Sequence, residues 1–525
     1  MSASREKKTR QEQVSSGWTD PKTAQEAKER KEARRTNLLY GTIGVVFLVV
    51  AVIAVIWRSN IIPKTATAAT VNGEKYTAAE VNYYFQNYYQ NFLNDNYSFL
   101  SMIGLDTNTS LKDQTISSTA VMFVTDAEEG QTWYDYFADR ALEQLSGVHA
   151  MCDAAEADGF TWNDDMQAEL DATLESLTTT ASSYGYTEQQ YLGLIYGSTM
   201  TKGIYEEQTR CSLLATAYLQ NYRNSLTYTG DELEAAYEAD LTAYDVVDCE
   251  YVRVNGAAPT SDEEGNEIEV TEEMEAEAMA TAKTTADAIY AAHEAGTSLE
   301  DAAAEYESTA TYTASDNFSY SSSALAEWMF DDARQAGDSA VLEDESTSNC
   351  YVVVFHDRGR HDYETVDVRH ILIQAEESEL AEDDEGYEDD VAAKKAEAEQ
   401  KAQDILDEWK AGAATEDSFA ELANEYSQDP GSNTTGGLYE QVYQGQMVTE
   451  FNDWCFDPAR QSGDTGIIYS DLTGYHVMYF VGFDRPYWEV QVTARLMDED
   501  VDAFYAEKTE GYTAEQSSFG MGFVG

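Results

Sequence analysis

The chain has 525 residues, of which 98 are acidic and 32 are Lys or Arg, and its formal net charge at pH 7 is −66. This length allows about three domains. Negative charge of this size repels nucleic acid phosphates and anionic lipid surfaces, so the composition excludes nucleic acid as a partner.

The N-terminal region is the exception to this acidity. Residues 1–36 carry ten Lys/Arg and six acids, and Leu38–Trp57 then holds twenty residues without a charge. Twenty helical residues span ~30 Å, the thickness of the hydrocarbon core of a bilayer. With its basic flank on the N-terminal side, 37–58 is predicted to be a transmembrane helix. We therefore expect 1–36 to be a cytoplasmic tail of a single-pass cell-membrane protein whose bulk is extracytoplasmic. A signal peptide cleaved near Ala66-Thr67-Ala68 is the alternative.

Helical signals dominate 59–245. Asn72-Gly73 follows Val71 as a hairpin turn, and Thr77 with Glu80 forms a capping box before an aromatic-rich helix. Apolar positions then recur at three and four residues, so a helical domain is predicted, with its many tyrosines in packing roles.

An internal repeat organises the second half. "EWMFDDARQAGD" (327–338) and "DWCFDPARQSGD" (453–464) agree at eight of twelve positions, and "VDCEYVRV" upstream of the first parallels "VDVRHILI" upstream of the second. The repeat predicts two α+β modules, 246–361 and 362–487. The tail, 488–525, is predicted to begin with a helix.

Five cysteines are present, without a Cys-x-x-Cys cluster. We therefore predict no metal site and no cofactor. In an exported chain these cysteines allow one or two disulfides, with at least one thiol left over.

Ordered motifs mark the second module. His370 heads the apolar run Ile371-Leu372-Ile373, and "YSQDPGS", "GGL", "MVTEF" and "GYHV" follow in that order. A single histidine at such a place is commonly a core residue with one hydrogen bond. The whole series, however, resembles a parvulin-type peptidyl-prolyl isomerase domain. Together with the anchor and the helical region, it resembles the PrsA and SurA class of extracytoplasmic foldases, although no lipid-bearing cysteine follows the apolar segment.

The resemblance implies roles for six residues of the second module. By position, His370 and His476 match the paired active-site histidines, and the other four are Asp429 and Thr473 in the catalytic set and Met447 and Phe451 in the proline pocket. A turn residue before Pro430-Gly431 remains the alternative for Asp429. The tandem Gly436-Gly437 is expected to serve backbone geometry.

The first module has lost this set, which makes it degenerate. By offsets of 119 to 126 residues, its substitutes are Tyr251 for His370, Thr309 for Asp429, Ser321 for Met447, Leu325 for Phe451 and Cys350 for His476. Cys249 shares a strand face with Tyr251. Because the resemblance makes the first and last strands neighbours, a Cys249–Cys350 disulfide is predicted.

An acidic segment bears on the substrate. Residues 376–390 contain ten acids and no base, where phosphoserine-directed parvulins carry basic residues. We therefore predict that cationic residues are preferred before proline and phosphorylated ones are rejected; a solvated loop is the alternative.

The resemblance implies a membrane-anchored foldase whose partners are unfolded exported polypeptides with X–Pro bonds. A non-catalytic holdase or scaffold is the alternative, and the sequence leaves the oligomeric state open.

Overall fold

A computed structural model describes residues 7–8, 42–43, 45–51, 61–261 and 267–525. Most of the predicted tail 1–36 and of the predicted transmembrane helix 37–58 lies outside these residues. Among the helices of the described residues, none combines the length and the apolar composition needed to cross a bilayer.

The chain forms two compact units, of which the first combines 1–226 with 500–525 and the second is 227–499. These limits differ from the predicted boundaries at 245 and 488. The helices, in chain order, are α1 (Ile61–Thr65), α2 (Ala78–Asp95), α3 (Ser118–Val121), α4 (Trp133–Ala157), α5 (Asp164–Ser183), α6 (Glu188–Ile195), α7 (Lys202–Ser225), α8 (Gly230–Ala239), α9 (Leu241–Tyr244), α10 (Glu272–Glu294), α11 (Leu299–Ala304), α12 (Ala324–Met329), α13 (Tyr387–Ala411), α14 (Glu416–Tyr426), α15 (Thr449–Cys455), α16 (Tyr487–Thr509) and α17 (Ser518–Met521).

The strands divide among three sheets. They are β1 (Thr67–Val71), β2 (Glu74–Thr77), β3 (Asp245–Asn255), β4 (Ala310–Ser319), β5 (Ser339–Asp344), β6 (Asn349–Arg360), β7 (Glu364–Ile373), β8 (Leu438–Val442), β9 (Thr465–Ser470), β10 (Gly474–Pro486) and β11 (Ala514–Gln516). The sheet orders are β11-β1-β2, β4-β3-β6-β5 and β8-β7-β10-β9, and every pairing is antiparallel.

The first unit is mainly helical. Its hairpin turns at Asn72 and Gly73, both with positive φ, and the predicted capping box of Thr77 and Glu80 is confirmed. Aromatic rings from α2 and α4 pack together in the core, where Phe92 of α2 meets Phe137 of α4 edge-on, with ring centroids 5.2 Å apart. The C-terminal residues complete this unit, because β11 pairs with β1 and Met521 is buried in the same core.

The two α+β modules repeat in the second unit. Strand β3 occupies in its sheet the place that β7 occupies in the other, and β6 corresponds in the same way to β10. Helices α13 and α14 pack on one face of the second module's sheet, and α15 packs on the other. Helices α10, α11 and α12 repeat this arrangement in the first module.

The predicted Cys249–Cys350 disulfide is wrong. Both residues are free thiols, and although β3 and β6 are neighbours, Cys249 lies opposite Phe355 while Cys350 lies opposite Val254. The two cysteines are thus about five residues, or ~17 Å, apart along the sheet. They also belong to hydrophobic clusters on opposite faces.

Hairpin length explains the error. Four residues join β5 to β6, whereas three join β9 to β10, so a constant offset slips by one residue in the last strand. Tyr351, opposite Leu342, corresponds to His476, opposite Ile468. The residue that replaces His476 is therefore Tyr351, and Cys350 points to the other face because side chains alternate along a strand.

Candidate active site

Two adjacent central strands bring the histidines together. In the β7–β10 ladder, His370 lies opposite Met478 and His476 lies opposite Leu372, so the two histidines are diagonal neighbours on one face of the sheet. Their Nδ1 atoms are 2.9 Å apart, and their rings stack with centroids at 5.1 Å. Both side chains are buried. Because its ring pairs with a second histidine, His370 is more than a core residue with one hydrogen bond.

Asp429 joins this pair from the loop after α14. Its Oδ2 lies 2.9 Å from His370 Nε2 and accepts hydrogen bonds from the hydroxyls of Ser432 and Tyr439. The hydrogen bond with His370, reinforced by those from Ser432 and Tyr439, holds the pKa of this carboxyl well below its ordinary value despite partial burial. Oδ1 accepts the Gly431 amide at 3.3 Å, so the turn role and the site role of Asp429 coexist.

Thr473 completes the chain at its other end, with Oγ1 at 2.7 Å from His476 Nε2. An ionised Asp429 accepts a hydrogen bond from His370 Nε2–H. A neutral His370 then carries no proton on its other ring nitrogen, Nδ1. That bare nitrogen accepts Nδ1–H of His476, and His476 Nε2 then accepts the Thr473 hydroxyl. The contacts therefore define one continuous direction of donation, from Thr473 through both rings to Asp429.

Burial governs the charge of the second histidine. Loss of solvent, and next the positive charge of His370 when protonated, lower the pKa of His476 to about 4. His476 is therefore neutral near pH 7, as the direction of hydrogen bonding requires.

Apolar side chains line the pair. The ring of Phe451, at 2% exposure, meets both imidazoles edge-on, with centroids at 5.4 Å from His370 and 5.6 Å from His476. Met447 packs half-buried in the same cluster. The structure thus brings together all six residues that the sequence singled out in this module.

The tandem glycine allows the loop to approach the first strand. Gly436 and Gly437 both have φ near +70°, and a Cβ at Gly437 would lie 2.2 Å from the carbonyl oxygen of His370. The amide of His370 instead donates to the Gly437 carbonyl at 2.9 Å. The predicted backbone role is confirmed.

Two functional residues went unrecognised in the sequence. Ser432 contacts both His370 Nε2, at 3.2 Å, and Asp429. Tyr439 donates to Asp429 Oδ2 at 3.0 Å. Their signals were present, since Ser432 ends the "DPGS" motif and Tyr439 directly follows "GGL".

Comparison with known families identifies the module. Residues 352–481 match the family model described as the PPIC-type PPIase domain. This chain carries a parvulin-type peptidyl-prolyl isomerase domain. The matched range begins within β6 of the preceding module and includes all six predicted site residues.

Relatives of this parvulin-bearing chain include chaperones. It is 29% identical over 184 residues to Chaperone SurA of Alkalilimnicola ehrlichii, covering 34% of this chain and 37% of that protein. The chain thus spans little more than a third of the length of this curated relative.

Solved structures of PrsA proteins are also similar to this chain. PrsA from Bacillus subtilis matches at 13% identity and a TM-score of 0.27, over 75% of this chain and 86% of that one. PrsA from Bacillus anthracis matches at 22% identity and a TM-score of 0.18, over 29% and 58% of the two chains.

The first module has an aromatic pair where the parvulin domain has its histidines. Tyr251 and Tyr351 meet edge-on, with ring centroids 6.3 Å apart. Leu325, at the place of Phe451, is buried, whereas Ser321, at the place of Met447, is exposed. The hydrogen-bonded histidine chain is thus replaced by phenol rings that offer no equivalent of its buried ring nitrogens.

Proposed function

We propose that the chain is a peptidyl-prolyl cis/trans isomerase and foldase that acts on X–Pro bonds of unfolded polypeptides through the module 362–487. The observation that carries this proposal is the continuous hydrogen-bond chain from Thr473 to Asp429, set against the apolar wall of Phe451. The family match over 352–481 supports the same reaction.

The reaction requires a conformational barrier to be lowered. Twisting an X–Pro amide costs ~20 kcal/mol because C–N resonance is lost, and no covalent bond breaks. Each tenfold acceleration needs about 1.4 kcal/mol of additional binding to the twisted form. In the proposal, Met447 and Phe451 hold the proline ring, while the fixed dipoles of His370 and His476 favour the twisted amide.

The proposed setting is extracytoplasmic and membrane-anchored. The basic residues 1–36 and the uncharged segment Leu38–Trp57 support a single anchor with its N-terminus inside. Unfolded exported polypeptides would then be the clients. Detergent extraction of the full chain from its own cells and protease protection of residues 1–36 test this location.

The two modules of one chain provide a matched test of the activity. Phe451→Ala and Leu325→Ala remove corresponding buried side chains from the second and first modules. With the full chain and an unphosphorylated X–Pro peptide, exchange NMR is expected to show at least a roughly tenfold lower rate for Phe451→Ala, and an unchanged rate for Leu325→Ala. Equal rates for the wild-type chain and both variants, with the fold intact by circular dichroism, would contradict the assignment.

A holdase that binds chains without isomerising them is the second candidate. It is favoured by large apolar side chains exposed in the first unit, among them Tyr97, Phe99, Met122, Phe123, Tyr184 and Leu194. Exposed apolar side chains of this kind can contact the apolar segments of an unfolded polypeptide. Suppression of client aggregation by a wild-type chain that leaves X–Pro exchange unchanged would favour this candidate over the isomerase.

A further inference from the structure

Two cysteines outside the parvulin domain lie side by side in the first unit. Cys152 is on α4 and Cys211 is on α7, and the Cys152 sulfur lies 3.4 Å from the Cys211 carbonyl oxygen. The two thiols are also close enough for each to shift the pKa of the other. Both side chains are half-buried. No local sequence pattern indicates this pair, because 59 positions separate its members.

The packing of the two helices fixes this juxtaposition. Tyr218, seven residues after Cys211, donates to Asp158, six residues after Cys152. The contacts of α4 and α7 therefore advance together along both chains, and the two helices run in the same direction. Met151 and Ala155 on α4 pack with Ala215 and Tyr218 on α7 in one buried cluster. Side chains packed in this way restrict sliding of one helix along the other.

We propose that Cys152 and Cys211 form a disulfide that cross-links α4 to α7. This site differs from the Cys249–Cys350 bridge, which the structure contradicts, and it does not depend on isomerase activity. Its reactants are the two protein thiols and a disulfide oxidant, either a small molecule or another protein.

The chemistry is thiol–disulfide exchange in two steps. The Cys211 thiolate attacks one sulfur of the oxidant, whose S–S bond breaks and releases one thiolate. Cys152 then loses its proton to solvent and attacks the Cys211 sulfur, which releases the second oxidant thiolate. Overall, two protein thiols are oxidised to one disulfide, and one oxidant disulfide is reduced to two thiols.

The pKa shifts distinguish Cys152 and Cys211 from the other three thiols. Contact with Cys152 lowers the pKa of Cys211, and contact with Cys211 raises the pKa of Cys152, which assigns the attacking thiolate to Cys211. Burial raises the pKa of Cys249 and of Cys455 to about 12. Cys350 is buried as well, and burial raises its pKa. Oxidation should therefore be selective.

Peptide mapping tests the proposal, since trypsin places each cysteine on a different peptide. Cys152 falls in 141–202 and Cys211 in 211–223. The full chain would be equilibrated with glutathione disulfide, alkylated in denaturant and digested without reduction. We expect 141–202 joined to 211–223 in most monomeric chains, with the other three cysteines alkylated. Recovery of the two peptides apart, alkylated or as separate glutathione adducts, would overturn the proposal.

Matched variants complete the test. Cys211→Ser should abolish the joined species, whereas Cys455→Ser, at a buried thiol of the second unit, should leave its yield unchanged. Dithiothreitol should release both peptides from the wild-type chain. A linkage found only between two copies of the chain, in the dimer band of a non-reducing gel, would also overturn the proposal.

Discussion

The buried, neutral His476 predicts a specific pH dependence of stability in the second module. Its pKa in the folded protein is about 4, mainly because burial removes solvent, whereas an unfolded chain has the ordinary value near 6.5. As pH falls below 6.5, His476 binds a proton in the unfolded chain but not in the folded chain. The free energy of unfolding therefore falls between about pH 6.5 and pH 4. At 1.36 kcal/mol per pH unit, the difference between 6.5 and 4 amounts to at most about 3 kcal/mol.

The effect is measurable before the carboxylates titrate. Between pH 7.5 and pH 5.5 the same two pKa values give roughly a tenfold change in the opening equilibrium, a loss of about 1 kcal/mol. Hydrogen exchange of the amides of Val477 to Phe480 on β10, corrected for intrinsic rates, reports the opening equilibrium of the second module. We expect wild-type protection factors to be roughly tenfold lower at pH 5.5 than at pH 7.5.

Two variants isolate the cause. His476→Gln removes the titrating ring and should remove most of the pH dependence at these amides. His356→Gln, at a more exposed histidine of the first module, should leave it as in the wild type. The reasoning is refuted if His476→Gln and the wild type lose protection equally between the two pH values.

Two further predictions concern the substrate and the loop. A Lys-Pro peptide should be turned over faster than its phosphoserine-Pro counterpart. The difference between the two rates should shrink as salt rises, because exposed charges are screened over ~8 Å at physiological ionic strength. Faster turnover of the phosphorylated peptide would refute the role of residues 376–390. Gly437→Ala should lower the melting temperature of the second module far more than Gly445→Ala, because both glycines have positive φ but only a Cβ at Gly437 would clash, at 2.2 Å from the His370 oxygen. Equal shifts in a calorimetric scan would show that the close approach to β7 is unimportant.

Local signals predicted much of the fold because they act over a few residues. The capping box at Thr77 and the hairpin at Asn72-Gly73 depend on neighbours in the chain, and both are confirmed. The duplicated pattern is matched by two four-stranded sheets of the same strand order, since a repeated sequence favours a repeated sheet. The six site residues came from the resemblance, and the geometry that joins them came from the strand register.

Distant contacts could not be predicted in the same way. The pairing of Cys152 with Cys211 depends on how α4 packs against α7, which no local pattern encodes. The Cys249–Cys350 error shows the reverse problem, because a single extra residue in one hairpin moved Cys350 to the opposite face of its sheet. A one-residue slip changes every side-chain direction in a strand, so offsets between repeats fail where turn lengths differ.

The acidic segment gives the strongest physical link between the charge of the chain and its proposed substrates. Its last three acids, Glu388, Asp389 and Asp390, lie in the first turn of α13, where the helix dipole stabilises negative charge. Glu376 has an ion pair with Lys394, and Asp390 accepts from Ser378. Among the ion pairs of the described residues, only that of Glu376 involves this segment, so protein cations offset little of its negative charge, and its field extends into the solvent around the second module. A cationic segment next to a proline would be attracted by this field before it reached Phe451, so selection by charge would precede selection by the apolar pocket.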